Sequence, residues 1–267
     1  MNQRKLFSIA AVLIFFFVSC ESHEKEVKPY SDPNSINAVK NAIKEYPDSI
    51  ILKENLIEAY RNAGYYDSAI NIANQELLKD SGSAYLWNIK ATLYFENADT
   101  LNSIKSLEHA IEIYPLPEYL VALGTVYAEI KNQKAIMIAD GLLQSNKTKY
   151  GKDGYFIKGL YYNYMNESKM AIPDLDSCLS LDFTYMYAYR EKAIALYNQS
   201  KYEEALNVLK RAVTIQNDYD EGYFWMGKCY EKLNRKDDAI ESYQSALLYD
   251  KNYSEARDAL ERLQKSN

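Results

Sequence analysis

Small and aromatic residues recur along this chain at one fixed distance. Ala171, Ala205 and Ala239 stand 34 residues apart, and Cys178, Ala212 and Ala246 repeat that interval seven residues later. Gly159, Ala193 and Gly227 keep the same step, followed three residues on by Tyr162, Leu196 and Tyr230. Nearer the N-terminus, Ala69 and Ser103 take the first small position. Ala91 and Gly124 take the glycine position, and Tyr60, Tyr94 and Tyr127 the tyrosine position. Self-similarity at such a period marks a stack of identical supersecondary units. Six units follow: 50–83, 84–116, 117–151, 152–185, 186–219 and 220–253.

Each unit reads as two helices. Small residues at the paired positions let them approach to about 8 Å, and the Tyr fills the space beside them with its hydroxyl toward water. A lone unit cannot bury its apolar face, so stacking supplies the core, and the ends need polar caps. Residues 33–47 are expected to form an N-terminal capping helix, with Asp32 as N-cap, Pro33 in the first turn and Pro47 as stop. Residues 254–267 are expected to form the C-terminal one, with Arg257, Glu261 and Arg262 among Ala259, Leu260 and Leu263. The third unit departs most. Its turn Lys131-Asn132-Gln133 is one residue short, and the polar insertion Asn146 to Gly151 is expected to lengthen its exit loop. Pro173, one turn into a helix, predicts a small distortion.

The first twenty residues break the pattern. Arg4 and Lys5 precede an apolar run from Leu6 to Val18, too short for the roughly 20 residues of a membrane span and suited to a secretory signal. The run closes on Phe17-Val18-Ser19-Cys20, which resembles the lipobox of bacterial lipoproteins, with Phe17 where Leu is more usual. That resemblance implies a lipoprotein signal peptide over 1–19 and lipidation of Cys20. It also implies membrane attachment in the bacterial cell envelope at the outer membrane, with the leaflet left open. Residues 20–32 read as a polar tether reaching roughly 20 Å by coil scaling, and Glu21, Glu24 and Glu26 loosely fit a surface-export cue.

Nine Gly and six Pro are about half of average usage, which argues against a many-stranded β fold. The net charge of −6 argues against a general nucleic-acid binder. Tyr is the outlier, with 26 residues.

The last unit reads Tyr223-Phe-Trp-Met226-Gly227-Lys-Cys-Tyr230, then Ala239, Tyr243 and Ala246; the fourth has Tyr155, Gly159, Tyr162, Ala171, Leu175 and Cys178. These stretches resemble the tetratricopeptide repeat, whose pattern is W-x2-L-G-x2-Y, then A-x3-F and P. With the lipobox, the chain is similar to tetratricopeptide-repeat lipoproteins of the bacterial envelope. The resemblance implies an all-α fold, a right-handed α-solenoid of helix–turn–helix repeats.

Catalytic material is sparse. The two histidines, His23 and His109, have no Cys or carboxylate at ligand spacing, so neither a metal site nor a catalytic triad is expected, nor any cofactor or enzyme activity. Cys178 and Cys229 fall at packing positions and read as buried free thiols. Gly151-Lys-Asp-Gly154 reads as a loop between units rather than a phosphate cradle.

In the resembled family the concave face, lined by the first helix of each unit, binds other polypeptides. The second, fifth, ninth, twelfth and thirteenth places of each unit project there. In the first three units they supply Tyr85, Phe95, Glu54, Glu58, Arg61, Asn88, Thr92 and Glu96. In the last three they supply Phe156, Leu160, Tyr164, Tyr187, Arg190, Ile194, Tyr197, Phe224 and Lys228, an aromatic lining with two cations, although some of these rings could equally pack between helices. The candidate partner-binding residues are Tyr85, Phe95, Phe156, Tyr164, Tyr187, Arg190, Tyr197, Phe224 and Lys228. No unit carries the basic residue and Asn, four apart, with which some family members grip acidic chain ends. The expectation is a lipid-anchored scaffold holding a protein or peptide. The alternative is a binder of glycan or peptidoglycan fragments, with Tyr187, Tyr197 and Phe224 as stacking platforms.

Overall fold

The computed structural model describes residues 33–265; the expected signal peptide, Cys20, the tether and the Asp32 cap lie outside the described residues. Among the described residues every regular element is an α-helix. Helix α1 (Pro33–Glu45) stops ahead of Pro47. Six helix–turn–helix pairs follow: α2 (Ile50–Asn62) with α3 (Tyr66–Lys79), α4 (Ala84–Glu96) with α5 (Thr100–Ile113), and α6 (Pro117–Glu129) with α7 (Lys134–Ser145). The last three are α8 (Lys147–Tyr164) with α9 (Ser168–Leu181), α10 (Met186–Asn198) with α11 (Tyr202–Ile215), and α12 (Asp220–Lys232) with α13 (Lys236–Tyr249). Helix α14 (Ser254–Lys265) closes the chain.

The turn inside each pair is made by the backbone. Gly64, Ala98, Lys131, Asn166, Ser200 and Asn234 all hold φ between 57° and 75°. The next residue returns its N–H to the carbonyl at the repeated Tyr position: Tyr65 to Tyr60, Asp99 to Tyr94, Asn132 to Tyr127, Glu167 to Tyr162, Lys201 to Leu196 and Arg235 to Tyr230, at 2.8–3.0 Å. The left-handed residue itself bonds three residues back, as Gly64 N–H does to Arg61 at 2.9 Å. Those two bonds define a Schellman motif, which satisfies carbonyls the helix end would otherwise leave open. Ahead of the first two pairs, Ser49 and Ser83 cap α2 and α4, accepting from Leu52 and Leu86, and inside the second pair Asp99 caps α5, accepting from Asn102.

The helices form two compact bodies, divided between Leu123 and Gly124 inside α6. In the first, Ile36, Val39, Leu56 and Ala59 make one cluster, and Ile57, Ala69, Ala73, Leu86, Ile89 and Leu93 another. In the second, α10 touches α8, α9, α11 and α12, so the first helices of these pairs form a row. The core there runs through Leu206, Leu209, Phe224, Tyr230 and Tyr243. A Cβ on Gly227 would meet the Tyr243 ring at 2.6 Å, so absence of a side chain lets that ring lie flat against α12. Tyr243 is fully buried and donates its hydroxyl to Glu231 Oε1 at 2.6 Å. Glu231 in turn accepts from both Arg262 terminal nitrogens at 2.7 and 2.8 Å, which ties α14 down over buried Ala256, Ala259 and Leu263. Burial alone would raise the Glu231 carboxyl, but these hydrogen bonds bring it below its ordinary value.

The third repeat corrects two expectations. Its turn is intact: Lys131 keeps the left-handed conformation, and the shortfall falls on the start of α7, which has 12 residues where the other second helices have 14. The insertion is helix rather than loop. Asn146 caps α8 by accepting from Lys149 N–H at 3.0 Å, and α8 runs 18 residues through Gly151 and Gly154. A Cβ on Gly154 would stand 2.9 Å from the Ala139 carbonyl, so the glycine admits a close approach of α7 rather than a bend. Helix α9 carries Pro173 in its interior and continues to Leu181.

Candidate functional site

In the first body, the end of α2 and the end of α4 are joined by charge. Arg61 Nε donates to Glu96 at 2.7 and 2.9 Å, and Nη1 donates to Glu58 at 3.2 Å. Tyr85, 41% exposed, stands by Glu54 and Glu58; burial and then these carboxylates push its hydroxyl up to about 12, so it stays a donor. Phe95 is half-buried.

In the second body the row of first helices brings two clusters together. The first is built from the end of α6, the end of α8 and the starts of α10 and α12. Arg190 Nη1 meets both Glu221 oxygens at 2.7 Å and Nε donates to Glu191 at 3.1 Å. Its guanidinium lies 5.4 Å from the Tyr187 ring centroid, within cation–π range. Asn163 Nδ2 donates to the Glu191 carbonyl at 2.8 Å and to its carboxylate at 3.1 Å. Tyr219 donates its hydroxyl toward the Met186 carbonyl and Glu221, at 3.3 Å from each. Glu129 belongs to this group: burial, then the charge of Glu191, push its carboxyl up to about 8 against the pull of Arg190. Burial raises the Tyr164 hydroxyl, and the same Glu129 and Glu191 charges raise it further.

The second cluster surrounds Lys228. Its ammonium sits 3.9 Å from the Trp225 ring centroid, 5.5 Å from Tyr197 and 5.6 Å from Phe224. Burial lowers its pKa below the ordinary lysine value. An ammonium over ring faces recovers part of its lost hydration from their π electrons.

Several residues expected to line an open face change meaning here. Phe156 has no exposed surface and packs edge-on at 5.1 Å against Tyr185, so it is core. Phe224 is buried, its ring 4.9 Å from Tyr253 and 5.8 Å from Tyr243. Arg190 is buried and its charge is already shared by two glutamates. Tyr164, Tyr187, Tyr197 and Lys228 are half-buried and keep a face outward. Conversely, Glu129, Asn163 and Glu221 occupy the thirteenth, twelfth and second places of their units, where the helical geometry already pointed; a search for aromatics passes over them. Glu191 and Trp225 lie at the sixth place, outside the inner set. Cys178 and Cys229 are buried free thiols.

Residues 84–115 and 196–263 each match a family model described as tetratricopeptide repeat. The crystal structure of a tetratricopeptide repeat protein from Parabacteroides merdae superposes with a TM-score of 0.71 at 16% identity, covering 86% of this chain and 91% of that one. Two curated proteins of Dictyostelium discoideum are similar in sequence. The Protein STIP1 homolog is 37% identical over 93 residues, 32% of this chain and 16% of that protein. The DnaJ homolog subfamily C member 7 homolog is 25% identical over 229 residues, 84% of this chain and 38% of that protein. The chain thus spans less than two fifths of the length of these curated relatives. The chain is a tetratricopeptide-repeat protein, all-α and of the solenoid class. Such repeats typically bind other proteins and serve as scaffolds rather than enzymes.

Proposed function

We propose that this protein is a non-enzymatic scaffold that holds another polypeptide along the first helices of its repeats, and that a lipid on Cys20 anchors it in the bacterial envelope, at the outer membrane. The observation that carries the binding reading is the outward-facing set Tyr164, Tyr187, Tyr197 and Lys228, half-buried on α8, α10 and α12. Rings fixed by their neighbours give contact area at small entropic cost, a property of interface hot spots. The lipid anchor is supported by the apolar run ending in Ser19-Cys20. A glycan-binding reading is weakened, because Phe224, one of its three stacking platforms, is buried.

Photo-crosslinking tests the scaffold. A benzophenone amino acid at Tyr187 or Tyr197 should trap a defined protein in living cells, while the same group at exposed Leu248 on α13 should not. Equal crosslinking from both faces, or glycan and no protein at the inner positions, would defeat the scaffold reading.

A further inference from the structure

Glu129 and Asn163 are each 7% exposed, and each keeps one side-chain oxygen, Oε1 and Oδ1, buried without a hydrogen-bond partner. Native proteins rarely leave such acceptors unfilled. Both residues surround Glu191, which accepts from Asn163 and repels Glu129. The guanidinium facing them from α10, that of Arg190, is already divided between Glu191 and Glu221. The Arg190 guanidinium, the Asn163 amide nitrogen and the Tyr219 hydroxyl all donate to Glu191 and Glu221, and Glu129 Oε1 and Asn163 Oδ1 are the acceptors left over. Half-buried Tyr164 borders the cluster, as does Tyr187, whose ring already takes the Arg190 guanidinium. Among the described residues no three His, Cys, Asp or Glu are placed to hold a metal ion, which favours an organic cation.

We propose that this part of the second body is a receptor for a cationic side chain, a lysine or arginine of the bound polypeptide, whose N–H groups are accepted by Glu129 and Asn163 and whose charge is met by Glu191. The proposal rests on the scaffold reading above, and it runs opposite in charge to the grip on acidic chain ends that the repeat sequences lack. The groups facing Glu129 are Tyr164 from α8 with Arg190 and Glu191 from α10. Burial and then the Glu191 charge push the Glu129 carboxyl up to about 8. A docked cation favours the ionised form, so capture releases the proton and tightens as pH rises.

The test titrates the full chain with N-acetyl-lysine methylamide or its norleucine counterpart and follows the Asn163 side-chain amide by NMR from pH 6.5 to 8.5. The lysine probe should shift that signal saturably, binding roughly tenfold more tightly at the upper pH, while norleucine should leave it unmoved. Glu129→Gln should weaken the lysine probe about fivefold or more at pH 8.5 and flatten its pH profile. Equal response to both probes, or a wild-type affinity independent of pH, overturns the proposal whether or not the variant folds. If the lysine probe binds but inner-face crosslinks yield no protein, the scaffold reading falls and the receptor stands. If crosslinks yield a protein while Asn163 stays unmoved at every pH, the reverse holds.

Discussion

Ala98, Lys131 and Ser200 hold a left-handed backbone that suits glycine and asparagine, not residues with an ordinary Cβ. The Schellman hydrogen bonds impose it, because two carbonyls at the helix end gain partners only there. The side chains at these positions are therefore passengers under strain. Ala98→Gly and Lys131→Gly should each raise unfolding stability by ~0.5–1 kcal/mol, read as a higher urea midpoint with an unchanged slope. A lower midpoint would mean that the greater freedom glycine gives the unfolded chain outweighs the strain relieved. At Glu129 and Asn163 a different property escapes sequence inspection. Their places in the repeat point inward, but whether a polar atom there finds a partner depends on which side chains arrive from α10, 28 or more residues away.

Steric demand makes helix pairs easy to read and helix ends hard. The 34-residue spacing of Gly159, Ala193 and Gly227 was legible because helices that close leave room only for a small residue, and at Gly227 even a single methyl would overlap Tyr243. Gly227→Ala should cost ~2 kcal/mol despite the better helix propensity of alanine. The comparison is Gly141→Ala in α7, where an added Cβ meets nothing within 4 Å; that variant should gain ~1 kcal/mol. Thermal melts of the two should move in opposite directions, and parallel shifts would show that propensity, not packing, governs both. The first turns of α8 were illegible for the converse reason. Lys147 to Gly151 is polar and glycine-bearing, which locally reads as loop, and it is helical through the Asn146 cap and the close approach of α9 at Gly151, where a Cβ would meet Leu181 at 2.8 Å. Likewise Phe156 and Phe224 carry inner-face numbering, yet Tyr185 and Tyr253 cover them from the far ends of their own repeats.

Taken whole, the molecule carries its own opening reporters. Cys178 and Cys229 have no exposed surface, and burial pushes the Cys229 thiol up to about 12 and the Cys178 thiol higher. Thiolate is the reactive form, so a disulfide reagent should modify neither until the second body opens, with rates roughly a hundredfold or more below those in urea. The same assay counts the third sulfur. Native protein with no fast thiol fits acylation of Cys20; one fast thiol retaining Cys20 in the chain would remove the anchor. The left-handed turn residues 64, 98, 131, 166, 200 and 234 are spaced by 34, 33, 35, 34 and 34. The linker Tyr114 to Leu116 and the start of α7 each lack one residue, and the stretch from Asn146 to Gly151 carries two extra. The losses and the gain cancel, as a pair of compensating frameshifts restores a reading frame. Repeats two and three together span residues 84–151, 68 residues or twice the period, so the left-handed turns from Asn166 onward fall where an uninterrupted 34-residue repeat would put them.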